Sequence, residues 1–278
     1  MDYLELTCIP ETGPHTSELL IAKLADIGFE SFTEEPGLVC AYIPFPQYND
    51  EVRLMLKDPE LKNYIKSFST SIIADQNWNA TWESNYEAVH ISENCMVRAP
   101  FHPKTITEGF DIVIEPKMSF GTAHHETTHL MMLFLLNTDV KGKHLLDMGC
   151  GTGVLAILAS MKGASPVLAI DNDEWAFRNS LENVENNVPG KIEVLLGDSS
   201  LLKEKMFDMI LANINRNILL QDLPEFTKAL TINGLIFLSG FYEEDLPVIN
   251  QKAQSCGLSF LSSMNKNKWT AACFMKTT

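Results

Sequence analysis

The sequence has no stretch approaching the ~20 consecutive apolar residues of a membrane-spanning helix. Its longest run of interest, Leu130 to Leu136, has seven. It has no C-x-x-C, and its six cysteines (Cys8, Cys40, Cys95, Cys150, Cys256, Cys273) are scattered. They read as reduced, mostly buried thiols rather than a disulfide framework. The start, Met1-Asp2-Tyr3-Leu4-Glu5, lacks a basic n-region and an apolar h-region. No signal peptide is expected, and a cytoplasmic location is. Positive charge is scarce: 21 Lys+Arg stand against 36 Asp+Glu, a net of −15. A field of that sign repels phosphate polymers and anionic membrane surfaces, and it attracts basic partners. With 15 Gly, 13 Pro, 45% apolar and 21% charged residues, the composition excludes collagen, low-complexity repeats and disorder.

What is present is enough chain for two domains, since 278 residues is about twice the ~150 of a typical one. Residues 1–75 read as a small α+β unit. Tyr3 to Ile9 alternates as a strand. Thr16 to Ile27 carries apolar residues at helical spacing and stops at Gly28. Phe29–Thr33 and Leu38–Ile43 suggest a hairpin, Asn49–Lys57 a helix and Ser67–Ala74 a strand. That order is the order of a ferredoxin-like sandwich. Between residues 1 and 80, five basic residues (Lys23, Arg53, Lys57, Lys62, Lys66) face thirteen acidic ones, a balance of −8. This unit carries no catalytic constellation, and its charge suits either a docking module for a basic partner or an ordinary acidic surface.

Residues 76–115 read as a connector. Trp78, Trp82 and Tyr86 recur at i, i+4 and i+8, the spacing of one helical face. Pro100, Pro103 and Pro116 interrupt regular structure, with a strand expected at Phe110–Glu115. From residue 116 to 278 strands and helices alternate, beginning with a helix at His125–Leu136. Such alternation builds right-handed βαβ units and a mostly parallel, doubly wound sheet. Two closing strands, Leu258–Ser262 and Trp269–Phe274, suggest an antiparallel hairpin on one edge.

The strongest chemical motif is Leu145-Leu146-Asp147-Met148-Gly149-Cys150-Gly151-Thr152-Gly153. It follows an expected strand and opens a helix, at the carboxyl end where open α/β sheets bind ligands. Glycines there let the backbone turn tightly and approach a ligand closely. Dinucleotide binding calls for G-x-G-x-x-G, whereas here the third glycine comes one position early. Twenty-two residues after Gly149, Asp171 ends the next strand, where an acid accepts hydrogen bonds from ribose hydroxyls. Asp173 suits a helix N-cap. Asp198 closes the third strand, as an adenine contact or a turn residue. Asn213 ends the fourth, and its amide projects above the sheet. Ile214-Asn215 supplies neither proline nor aromatic, so a flipped nucleobase would find no stacking partner there.

His125-Glu126-Thr127-Thr128-His129 also matches the zinc-peptidase pattern H-E-x-x-H, which puts both histidines on one helical face. No third ligand follows at a suitable spacing, so a zinc peptidase at His125/His129 is a distant alternative and no metal is expected.

The D-x-G-x-G-x-G run resembles the first motif of S-adenosylmethionine-dependent methyltransferases. The segment Phe120-Gly121-Thr122-Ala123-His124-His125-Glu126-Thr127-Thr128 is similar to the F-G-T-G-x-H-x-T-T segment of the ribosomal protein methyltransferase family. The similarity continues through Asp147–Gly153, Ala169-Ile170-Asp171 and Ala212-Asn213-Ile214. The resemblance implies a Rossmann-like methyltransferase domain over 116–278, the connector over 76–115 and a substrate-recognition domain over 1–75. It implies S-adenosyl-L-methionine as cofactor, held by Thr128, Gly149, Asp171 and Asn213, with Thr127, Gly151 and Asp198 as further contacts. Phe120 and Asn213 are the implied catalytic pair flanking a target amine. The implied partner is a basic protein of the large ribosomal subunit. Methylation of another protein or a small molecule is the alternative. Ala123 stands where the family pattern has glycine, which implies a loop that closes more stiffly or in a different shape.

Overall fold

The computed structural model describes residues 2–74, 86–117 and 119–277. Trp78 and Trp82 of the expected aromatic stripe lie outside the described residues. By internal contacts the chain divides into Met1–Asn85 and Tyr86–Thr278.

The first unit runs β1 (Tyr3–Pro10), α1 (Thr16–Ile27), β2 (Ser31–Glu35), β3 (Leu38–Pro44), α2 (Asp50–Met55) and β4 (Ile65–Ile73). Its sheet has the order β2-β3-β1-β4 with every pairing antiparallel, the ferredoxin-like arrangement expected from the sequence. Leu4, Leu6 and Cys8 alternate inward along β1 and meet Leu20 and Leu24 of α1, because a strand buries every second residue and a helix every third or fourth. Gly28 ends α1 at φ 113, its N–H returning to the carbonyls of Leu24 and Ala25.

The second unit opens with a small sheet of β5 (Val89–Ser92), β6 (Cys95–Arg98) and β7 (Phe110–Val113). Residues 86–115, the described part of the expected connector, fall within this second unit. Asn187 holds both polar atoms of the Val113 backbone, N–H at 2.8 Å and C=O at 2.7 Å, and Asn183 accepts from Glu115 N–H at 2.9 Å. Residues from Tyr86 onward therefore pack as part of the larger unit. Single-strand patterning does not reveal side-chain amides that reach across some 70 residues.

The main sheet contains β8 (Leu145–Met148), β9 (Val167–Asp171), β10 (Ile192–Leu196), β11 (Phe207–Asn213), β12 (Leu230–Tyr242), β13 (Leu258–Lys266) and β14 (Trp269–Lys276). Its order is β10-β9-β8-β11-β12-β14-β13. The first five strands are parallel, and β14 runs antiparallel to both neighbours. The closing hairpin is present, but its second strand lies inside and its first strand forms the edge.

Among the described residues five helices cover the sheet: α3 (Glu126–Leu136), α4 (Val154–Met161), α5 (Glu174–Asn187), α6 (Arg216–Ala229) and α7 (Leu246–Ser255). Strand residues alternate between two cores. Leu145, Ala169, Met209, Leu211 and Phe237 join α3, α4 and α5. Leu146, Met148, Ile170, Ile210 and Leu238 join α6 and α7. A parallel sheet needs both faces covered, which is why its strands read as nearly continuous apolar runs. No helix among the described residues is long and apolar enough to cross a membrane.

Candidate functional site

The carboxyl ends of β8, β9 and β11 meet around a cavity of about 520 Å³. Its lining includes Phe120, Gly149, Gly151, Asp171, Trp175 and Asn213. Five of these six are residues singled out from the sequence. Thr128 and Asp198 are not among the lining residues.

The glycine turn is shaped by its neighbours. Gly149, Gly151 and Gly153 all have left-handed φ, at 71°, 56° and 80°. A Cβ on Gly149 would lie 2.1 Å from Ile214 Cγ2, and one on Gly151 would lie 2.2 Å from the Phe120 carbonyl oxygen. The segment 120–121 is laid directly on this turn. Phe120 C=O accepts from Thr152 N–H at 2.9 Å, and Gly121 C=O accepts from Thr152 Oγ1 at 2.7 Å. Only glycine permits this contact of backbone on backbone.

Asp171 is the hinge between turn and strand. Its Oδ2 accepts from Gly151 N–H at 2.8 Å and its Oδ1 from Asp173 N–H at 3.0 Å. A carboxylate offers about four acceptor positions, so two remain after these bonds. Asp173 caps α5, accepting from Ala176 N–H at 2.9 Å. Asp147 is fully buried behind the turn. Its Oδ2 accepts from Ala156 N–H at 3.0 Å, and its Oδ1 has no partner among the described residues. Burial pushes its carboxyl up to about 7, against the Ala156 N–H that lowers it, and the Asp171 charge raises it further. Burial also drives the neighbouring Cys150 thiol well above its ordinary range.

Asn213 Nδ2 donates to Thr128 Oγ1 at 3.2 Å, joining the end of β11 to the first turn of α3. Its Oδ1 is buried without a partner among the described residues. Thr128 is therefore joined to the site through Asn213 rather than through the cavity wall. Thr127 is buried, and its hydroxyl pairs with His125 Nδ1 at 2.8 Å. Asp198 is exposed and accepts from Ser200 N–H at 2.9 Å, capping a short turn. Hydrogen bonding by Ser200, through its side chain first and its backbone N–H second, holds the carboxyl below the usual range.

The H-E-x-x-H expectation of two histidines on one helical face is corrected. His125 has extended backbone (φ −75, ψ 140) and is the N-cap of α3, not a helical residue. Its ring lies between Phe120 at 5.1 Å and Trp269 at 4.7 Å, centroid to centroid. Glu126 accepts from Asn267 Nδ2 at 2.9 Å, which lowers its pKa. Burial lowers that of His129. Among the described residues no group of three or more His, Cys, Asp or Glu is assembled for a metal.

Ala123 is buried at φ 68, a conformation glycine adopts freely and alanine adopts under strain. Sequence reasoning missed Trp175, which is 75% exposed on the cavity wall, and Ile214, which roofs Gly149. Trp175 carried a usable signal, a large aromatic on the first turn after an acidic strand end. Ile214 carried none, because its role depends on β11 lying beside β8.

A family model described as "Ribosomal protein L11 methyltransferase (PrmA)" matches residues 22–277. The chain is 45% identical to a Porphyromonas gingivalis protein named ribosomal protein L11 methyltransferase, over 97% of this chain and 95% of that one. It is 44% identical to one of the same name from Phocaeicola vulgatus, over 99% of each. A crystal structure titled ribosomal protein L11 methylase, from Lactobacillus delbrueckii subsp. bulgaricus, is similar with a TM-score of 0.65 and 27% identity. It covers 69% of this chain and 100% of that one.

Proposed function

The chain belongs to the ribosomal protein L11 methyltransferase family, and from that premise we propose that it transfers methyl groups from S-adenosylmethionine to amino groups of ribosomal protein L11. The amines are lysine side chains, the α-amine, or both. The observation that carries this reading is the cavity itself. A glycine turn without room for a Cβ, an acid at the end of β9 and a buried, unpartnered amide oxygen at the end of β11 converge on it.

These residues fit the cofactor. Gly149 and Gly151 line the cavity, and with Ile214 and the Phe120 carbonyl packed where a Cβ would stand, they present backbone to the ligand. Asp171 takes the ribose hydroxyls on its remaining acceptor positions. Thr128 and Asn213 close the methionine side, and Asp198 is an outer contact for the adenine amino group. When bound, S-adenosylmethionine supplies a methyl group already activated by its sulfonium, leaving as a neutral thioether.

The protein's task is alignment, with the reacting nitrogen about 3–3.5 Å from the methyl carbon. The amine must be neutral to attack. A free lysine titrates near ~10.4 and an α-amine near ~7.7–8.0, so exclusion of water favours the reactive form. Asn213 Oδ1 accepts a hydrogen bond from the amine and aims its lone pair. Phe120 covers the amine with an apolar face. The nitrogen releases its proton to water after it gains the methyl.

The first unit serves as the substrate-docking module in this reading. Its −8 over residues 1–80 complements a basic protein of the large subunit. Neither a nucleic acid nor a membrane is the substrate, and the location is cytoplasmic. Incubation with methyl-labelled S-adenosylmethionine and isolated ribosomal proteins tests the reading. Label is expected in L11, and its absence from every ribosomal protein overturns the substrate assignment.

A further inference from the structure

The loop before α3, residues 120–124, is held from two sides. On one side Phe120 and Gly121 lie on the glycine turn through Thr152. On the other, the loop meets the chain where it enters the second unit. His124 Nε2 donates to the Glu87 carbonyl at 2.9 Å. A carbonyl only accepts, so Nε2 carries the hydrogen, and Nδ1 of the neutral ring accepts from Thr122 Oγ1 at 3.1 Å. The Tyr86 ring lies 4.7 Å from the His124 ring, centroid to centroid, and its hydroxyl is hydrogen-bonded to the Thr122 side chain.

Tyr86 is itself fixed to the small sheet. Its ring stacks on His102 with planes 9° apart, and its carbonyl accepts from His102 Nε2. His102 Nδ1 accepts in turn from Ala99 N–H at 3.1 Å. The His102 carbonyl accepts from Arg98 Nη1 at 2.9 Å, and Arg98 grips Asp111 through two bonds of 2.8 and 3.1 Å. A planar fork on a carboxylate fixes both partners in direction as well as distance. The hold on the loop therefore ends on a rigid base in β6 and β7.

Between the two holds sits Ala123, left-handed at φ 68. An L residue there is strained, and such strain persists only where the surroundings impose it. Its methyl is buried in the core shared by α3, α4 and α5, which fixes the loop from below. In the F-G-T-G-x-H-x-T-T pattern, Ala123 takes the place of the glycine and His124 the unspecified place after it. The strained residue and the exposed residue that pins it are thus adjacent. Released from Glu87, the loop could return Ala123 to negative φ, and that rotation would move Phe120 and Gly121 relative to Thr152.

We infer that His124 is a positioning residue of the transfer site: latched on Glu87 and Tyr86, it holds the alanine-bearing loop in the conformation that seats Phe120 and Gly121 on the glycine turn. The purpose of the latch rests on the methyltransferase reading above. His124 is not among the cavity-lining residues and acts through the loop. Tyr86 supports it from the side of the small sheet.

Two measurements on the full chain test the latch. Hydrogen exchange at the Thr152 amide, which donates to the Phe120 carbonyl, reads the seating of the loop without cofactor. It should speed about fivefold in His124→Ala, the worth of roughly one net hydrogen bond. In His124→Gln, whose amide keeps a donor toward Glu87, it should stay within about twofold of wild type. Calorimetric titration of S-adenosylmethionine should show the same split, with Kd about fivefold higher in His124→Ala and nearly restored in His124→Gln. Tyr86→Phe keeps the ring and loses the hydroxyl, so it should shift both readings in the same direction by less. It carries the test if His124→Ala folds poorly. A lowered urea midpoint with unchanged exchange and Kd would make His124 merely structural and overturn the latch. Equal losses in His124→Ala and His124→Gln would overturn it as well. Faster Thr152 exchange in His124→Ala, with no cofactor bound by the wild-type chain, upholds the latch and overturns the methyltransferase reading.

Discussion

Three alanine substitutions in the glycine turn should cost very different amounts, although the sequence makes them look equivalent. Each puts an L residue into the left-handed region, a penalty of roughly 1–2 kcal/mol. Gly153→Ala adds little more, since its Cβ would sit 3.3 Å from Ser180 Cβ. Gly149→Ala meets Ile214 Cγ2 at 2.1 Å, the end of a side chain that can turn away. Losing that packing adds about 1 kcal/mol, for about 2–3 in all. Gly151→Ala meets the Phe120 carbonyl oxygen at 2.2 Å and its carbonyl carbon at 3.2 Å. Backbone has no rotamer to retreat into, and the same oxygen accepts from Thr152 N–H. Displacing it should bring the total to about 4 kcal/mol, among the larger effects of a single substitution. Urea denaturation of the three variants gives the order Gly153→Ala, Gly149→Ala, Gly151→Ala in increasing loss. Combining Gly149→Ala with Ile214→Ala should recover part of the loss, whereas Ile214→Ala should not help Gly151→Ala. Equal losses at all three positions, or no recovery through Ile214, would refute the argument that these contacts set the need for glycine.

The cofactor assignment predicts that Asp171→Ala abolishes S-adenosylmethionine binding in calorimetry, and unchanged affinity would remove Asp171 from the ribose role. Asn213→Ala should lower kcat for L11 methylation by about 100-fold through lost alignment, and Thr128→Val by less, since Thr128 reaches the target amine only through the Asn213 amide. An Asn213→Ala variant at full kcat would exclude the amide from the reaction. Asp147 predicts a pH dependence. Its folded carboxyl titrates at about 7 against 3.8 for the free group, so the unfolded chain releases this proton first and stability falls as pH rises between those values. Asp147→Asn removes this term, so its stability relative to wild type should grow from pH 4 to pH 8 in urea titrations. A pH-independent difference would contradict the buried, ionisable Asp147.

The alternating core and the glycine turn were legible because both are local. Period-2 and period-3.6 patterns place apolar residues on one face whatever the partner, and a glycine run between strand and helix has few other uses. The −15 charge and the short apolar runs likewise set expectations about partners without a structure. H-E-x-x-H was misleading for the same reason. Its spacing is a statement about a helix, and the helix starts at Glu126, one residue after the first histidine. Which strand neighbours which was decided only in three dimensions, and the chemistry follows from it. With β11 beside β8, Ile214 roofs Gly149 and Asn213 reaches Thr128, 85 residues earlier. With β14 inserted beside β12, Trp269 lies beside Tyr242 and His125. By itself the sequence determined most of the elements (not the short strands β5 and β6), the glycine turn and the scarcity of positive charge, since each depends on neighbours along the chain. Tertiary structure alone decided which carboxylate is desolvated, which amide oxygen is left open and which rings meet. Those depend on groups brought together through space, and burial sets their energies.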